Sequence, residues 1–190
     1  MTRKSKLLIL AIFALIGGGA AYFGAGMTNS EGQVEASDAI EASDDYTRLA
    51  MEADDRQTLL TLSGGPDGTE ITLTERALMA MPHVYIKTKN EFVDDVTTFS
   101  GPLARDVMAL LDVDGSSVVL TAVNDYSVEV PLEDFVKYDV VFAMAADGER
   151  FSRRDKGPLW VIYPMSDFPE LQDPVYNARL IWQLVKVELK

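Results

Sequence analysis

Cysteine is absent from all 190 residues. Disulfides, thiolate nucleophiles, Cys-ligated zinc or iron–sulfur clusters and a lipid-modified cysteine behind a signal peptide are therefore excluded. Histidine occurs once, as His83. A metal site would have to rest on carboxylates, and a Ser–His pair would have to use that one ring. No nucleophile elbow accompanies it, and its place just after Pro82, at a helix-to-strand turn, reads as structural. Asp112 and Asp114-Gly115 begin a calcium-loop pattern whose later ligands are missing. No catalytic or metal-ligating set emerges. Positive charge is also scarce, with 17 Lys and Arg against 30 Asp and Glu and a net charge of -13. Such a body repels phosphate backbones, which argues against nucleic acid as a partner.

Apolar residues make up 47% of the chain, enough for one sizeable core without covalent staples. The chain opens with Arg3, Lys4 and Lys6 before an apolar run from Leu7 to Phe23, the arrangement of a signal peptide or N-terminal membrane anchor over residues 1–26. The positive flank predicts that the remainder of the chain is exported. A periplasmic or other extracytoplasmic location is expected, either soluble or held to the inner membrane by this segment if it is not cleaved. Small residues at Gly18-Gly19-Ala20 and Gly24-Ala25-Gly26 offer cleavage positions. The pair Arg3-Lys4 lacks the twin arginines of folded-protein export, so the chain is expected to travel unfolded. Residues 27–55, rich in Ser, Ala, Gly and acids and poor in large apolar side chains, read as a flexible acidic linker with a helical stretch around Tyr46–Met51. Residues 56–190 are the domain.

Within the domain, Leu60 and Leu62 alternate with polar neighbours, Gly64-Gly65-Pro66-Asp67-Gly68 supplies a turn, and Ile71-Thr72-Leu73 alternates again, which predicts a hairpin. Thr74 is placed to cap a short helix through Met79, stopped by Pro82. Strands are predicted at Val84–Ile86, Val96–Phe99, Val118–Val123, Tyr126–Val130, Val140–Met144, Leu159–Tyr163 and Val185–Leu189. A helix starting at Pro102 puts Leu103, Val107, Leu110 and Leu111 on one face, and a helical turn covers Leu132–Tyr138. With no regular βαβ alternation, the class is α+β, a β-rich mixed sheet with a few short helices.

Four stretches in order are more specific. They are Phe99-Ser100-Gly101-Pro102-Leu103 before a helix ending Leu110-Leu111, Ala122-Val123-Asn124-Asp125-Tyr126 leading to Val130-Pro131, Ala143 to Asp147-Gly148-Glu149, and Gly157-Pro158-Leu159-Trp160-Val161-Ile162-Tyr163-Pro164. Together they resemble the oxidoreductase molybdopterin-binding domain, the sulfite-oxidase fold, in its small stand-alone form from exported bacterial proteins. The resemblance covers roughly Ile71 to Lys190. It implies a molybdopterin cofactor whose metal is held by a cysteine thiolate upstream of the Phe-x-Gly-Pro helix. This chain departs there: the corresponding strand reads Ile86-Lys87-Thr88-Lys89-Asn90, and the neutral hydroxyl of Thr88 is neither a soft nor a charged donor.

The expected function is accordingly a non-catalytic, exported or tethered binding module for a small anionic ligand or a protein partner such as a membrane sensor or redox complex. The alternative is a molybdenum-cofactor oxidoreductase or its accessory subunit, with metal held by the pterin dithiolene alone or through an oxygen donor. Candidate ligand contacts are the basic cluster Arg150, Arg153, Arg154 and Lys156, which can grip phosphate or carboxylate. Asn124, Asp125 and Tyr126 at a strand end, and Arg179 near the C-terminus, complete the set. Solvated ion pairing, turn formation and ring packing are the plainer explanations of the same residues. Trp160, Tyr163, Tyr176 and Trp182 form either an aromatic wall or core packing.

Overall fold

The computed structural model describes Arg48 and residues 50–190. The cationic apolar segment expected over residues 1–26, and most of the acidic linker, lie outside the described residues. Among the described residues no helix is long and apolar enough to cross a membrane.

The alternating Leu60 and Leu62 form β1 (Thr58–Gly64) and point into the core with no exposure, while β2 (Thr69–Thr74) returns antiparallel with Ile71 opposite Leu62. Gly65 and Gly68 turn the chain between them at positive φ, which a side chain would strain. The hydroxyl of Thr74 then accepts from the Ala77 N–H at 3.2 Å and caps α1 (Glu75–Met79), as its sequence position predicts.

Two long strands follow, β3 (His83–Asn90) and β4 (Val93–Pro102), paired antiparallel almost to their tip. Pro102 ends β4 instead of starting the next helix. Leu103 remains extended and bridges to Val141, so α2 (Ala104–Met108) starts two residues later than Pro102 and tightens into a 3₁₀ turn at Ala109–Leu111. The antiparallel pair β5 (Ser117–Ala122) and β6 (Ser127–Pro131) leads into α3 (Leu132–Lys137). Short strands β7 (Val141–Ala143), β8 (Ala145–Ala146), β9 (Glu149–Arg150) and β10 (Trp160–Ile162) follow, then a 3₁₀ turn at Pro169–Gln172, α4 (Pro174–Asn177) and β11 (Leu184–Leu189).

The strands form a five-stranded sheet in the order β2-β1-β11-β5-β6, a four-stranded sheet β3-β4-β8-β9, and the pair β10-β7. β11 runs parallel to β1 and antiparallel to β5, so the sheet is mixed and the class is α+β, as expected. The last strand in the chain is thus the middle strand of the larger sheet. Leu60, Leu62, Leu78, Leu120, Phe135 and Tyr163 belong to the main core, whereas Ile86, Phe99, Val141, Ala143, Trp160 and Ile162 form a second cluster under β3 and β4. Gly101 is where β4 meets β7: an added Cβ would lie 2.1 Å from the Phe142 carbonyl oxygen.

The described end of the acidic segment is not loose chain. Ala53 is buried, Asp54 N–H donates to Glu75 Oε2 at 2.8 Å, and Arg76 donates to the Ala53 carbonyl at 2.8 Å. These contacts dock the entry to β1 onto α1.

Candidate functional site

Thr88 sits on β3, where the resemblance places a metal-binding thiolate, and it is fully buried. Its Oγ1 accepts from the Ser166 N–H at 3.0 Å, and its one proton is shared between Ser166 Oγ and the Lys89 carbonyl, each at 3.2 Å. Ser166 Oγ in turn accepts from the Lys89 N–H at 3.2 Å. The hydroxyl clamps β3 to the segment after β10. A donor committed in this way does not fit molybdenum, which takes a charged sulfur in the domain that the sequence resembles. Among the described residues no group of three or more His, Asp or Glu side chains is placed to hold a metal. His83 is half-buried and donates from Nε2 to the Leu78 carbonyl at 3.3 Å; burial lowers its pKa, partly offset by that bond.

The basic cluster divides. Arg150 pairs with Glu75 at 2.9 Å, and Lys156 places Nζ 4.7 Å from the centroid of the Trp160 ring. These two residues are partly covered and hold the ends of the loop, leaving Arg153 and Arg154 exposed at its tip. Arg153 also donates to Gln57 Oε1 at 2.6 Å. An anion approaching this loop meets the tip pair first.

Arg179 is organised otherwise. Its guanidinium bonds Asp134 Oδ2 and lies 4.7 Å from the Tyr176 ring centroid, and Asp134 Oδ2 accepts a second bond from the Tyr163 hydroxyl at 2.8 Å. Burial and the Asp134 charge push the Tyr163 pKa far above its ordinary value, so the phenol stays a donor. This triad, with Asp134 and Tyr163 buried and Arg179 partly exposed, fixes the chain leading from α4 into β11.

That chain makes one wall of a cleft of about 440 Å³, lined by Glu91, Phe92, Ala122, Asn124, Tyr126, Asn177, Ala178, Leu180, Ile181 and Trp182. Three elements converge on it. The β3–β4 turn brings Glu91 and Phe92, held by the Asn90 side chain accepting from the Phe92 N–H at 2.9 Å. The β5–β6 turn brings Asn124 and Tyr126; Asn124 Oδ1 accepts from the Tyr126 N–H at 3.2 Å, and Asp125 makes the turn with φ 65°. Residues 177–182 complete it, locked by Trp160 Nε1 donating to the Leu180 carbonyl at 3.0 Å and Val161 N–H donating to the Ile181 carbonyl at 2.8 Å.

Asn124 and Tyr126 therefore reach the cleft, whereas Asp125, Arg179 and the four residues of the basic cluster are not among its lining residues. Of the four aromatic residues singled out from sequence, Trp182 lines the cleft and Trp160 packs behind it. Tyr163 and Tyr176 gather instead around Tyr138. Glu91, Phe92 and Asn177 are additional lining residues; an apolar Phe92 in a two-residue turn was the available signal, since turns seldom carry one without a packing partner. Gln183 connects the cleft wall to the basic loop: its Nε2 donates to the Arg153 and Asp155 carbonyls at 2.9 and 3.2 Å.

No protein-family model matches this chain, and no curated protein matches it.

Proposed function

We propose that this protein is an exported or membrane-tethered member of the molybdopterin-binding, sulfite-oxidase-like fold that acts as a binding module and not as an oxidoreductase. The observation that carries the reading is Thr88: at the thiolate position stands a buried hydroxyl whose proton and lone pairs serve the β3 clamp to Ser166. The ordered motifs from Phe99 to Pro164 support the fold assignment, and the cationic apolar segment before the acidic linker supports export. The exposed pair Arg153 and Arg154 is the contact for a small anion or an acidic surface of a partner protein, because two guanidinium groups together match a phosphate or carboxylate. A membrane sensor or redox protein is a partner class that suits a domain held at the bilayer.

The test is direct. Full-length protein purified from molybdate-supplied bacterial cells is expected to carry molybdenum and pterin far below one per chain, measured by elemental mass spectrometry and by pterin fluorescence after oxidation. Near-stoichiometric metal with pterin would overturn the proposal and establish the oxidoreductase alternative.

A further inference from the structure

We infer that the cleft between the β3–β4 turn, the β5–β6 turn and residues 177–182 binds an alkylated ammonium group. The inference is independent of the fold assignment and concerns a surface other than the Arg153–Arg154 tip.

The charge of the lining comes first. Among the described residues ten line the cleft, and the one ionisable carboxylate among them, Glu91, is accompanied by no lysine, arginine or histidine. In a chain of net charge -13 this favours a cation over an anion. The ring geometry narrows the class. Phe92 and Trp182 stand at 88° with centroids 4.8 Å apart, forming a corner, and both are more than one-third exposed. Tyr126, half exposed, lines the same cleft. A cation that carries methyl groups gains from ring faces electrostatically and by contact, and loses less hydration than a bare ammonium or a metal ion. The floor of Ala122, Leu180 and Ile181 is buried and apolar and suits those methyl groups.

The polar groups agree with this. Asn124 uses its Oδ1 within its own turn, and Asn177 supplies a second amide for whatever substituent extends from the ammonium. The ring cluster already holds one cation, since Lys156 Nζ rests over Trp160, which in turn packs against both Phe92 and Trp182. The same head group occurs on soluble trimethylammonium compounds and on choline lipids.

Isothermal titration of the full-length protein in detergent with tetramethylammonium chloride is the experiment, with sodium phosphate and glucose as the competing chemistries. Saturable binding of tetramethylammonium alone is expected. Trp182→Leu is expected to weaken it by about threefold to thirtyfold, the range for one cation–π wall. Glu91→Gln, a near-isosteric change on an exposed turn, is expected to weaken it several-fold and serves alone if the tryptophan variant unfolds. Comparing choline with a short-chain phosphatidylcholine below its micelle concentration distinguishes the two sources, and tighter binding of either supports the site. Absence of saturable tetramethylammonium binding, tighter binding of phosphate or glucose, or binding unchanged in both variants overturns the inference.

Discussion

Asp134 shows how few polar groups organise the region behind the cleft. The residue is 8% exposed, and its Oδ2 accepts from both Arg179 and Tyr163. Removing it leaves a guanidinium and a phenol without their acceptor inside the fold, which costs far more than an exposed ion pair such as Arg105–Asp139. Asp134→Ala is expected to lower stability by about 3 kcal/mol in urea titration. Arg105→Ala is expected to change it by less than about 1 kcal/mol. His83 carries a pH dependence. Burial lowers its pKa from the ordinary value of 6.5, so the unfolded chain takes the proton more readily than the folded one. Its contribution is whole above 6.5 and is lost as pH falls through that value toward the lower folded one. Glu170 and Glu188 are also held below their usual value, Glu170 by a backbone hydrogen bond and Lys137, Glu188 by Lys190 and Lys186, so their losses come at more acidic pH. Urea midpoints are expected to fall between about pH 7.5 and 5.5, with a shallower slope in His83→Gln.

At the scale of elements, short pieces were readable where local chemistry decides them. Thr74 caps α1, the glycine-rich turn joins β1 to β2, and Asn124-Asp125 turns β5 into β6. Boundaries moved where a neighbour competes with local preference. Pro102 suits a first helical position, yet its chain stays extended because Leu103 bridges to Val141 and the Ala104 N–H donates to the Val140 carbonyl at 2.8 Å. Gly101 makes that approach feasible. Gly101→Ala is expected to destabilise by about 3 kcal/mol or to abolish folding, because its Cβ meets backbone atoms that have no rotamer to escape into. A fall in thermal midpoint alongside an unchanged midpoint for Gly68→Asn, where the turn is open and its positive φ is tolerated by asparagine, would check the contrast.

For the whole molecule, the decisive feature is the position of β11. Strands close in sequence usually pair, and the alternation of Val185 to Leu189 predicts a strand without naming its neighbours. In the fold it lies between β1, more than a hundred residues earlier, and β5. Deleting residues 184–190 is therefore expected to remove the middle of the sheet, not to trim an end. Loss of near-ultraviolet circular dichroism and of a cooperative urea transition is the expected outcome; a truncated chain that still unfolds cooperatively would contradict it.

The sequence by itself determined the kinds of chemistry open to this protein, because composition needs no geometry: no cysteine, one histidine, a strong excess of acid. It also determined the short turns, the Thr74 cap and the α+β class, all of which follow from residues within a few positions of one another. Only the tertiary structure decided that Thr88 is a clamp, that Arg179 belongs to Asp134, and that Phe92, Tyr126 and Trp182 share one cleft. Those relations join side chains 45 to 78 residues apart in the two bonded cases, Arg179 to Asp134 and Thr88 to Ser166. Contacts at such separations arise from sheet register and core packing, which no local pattern of residue types encodes.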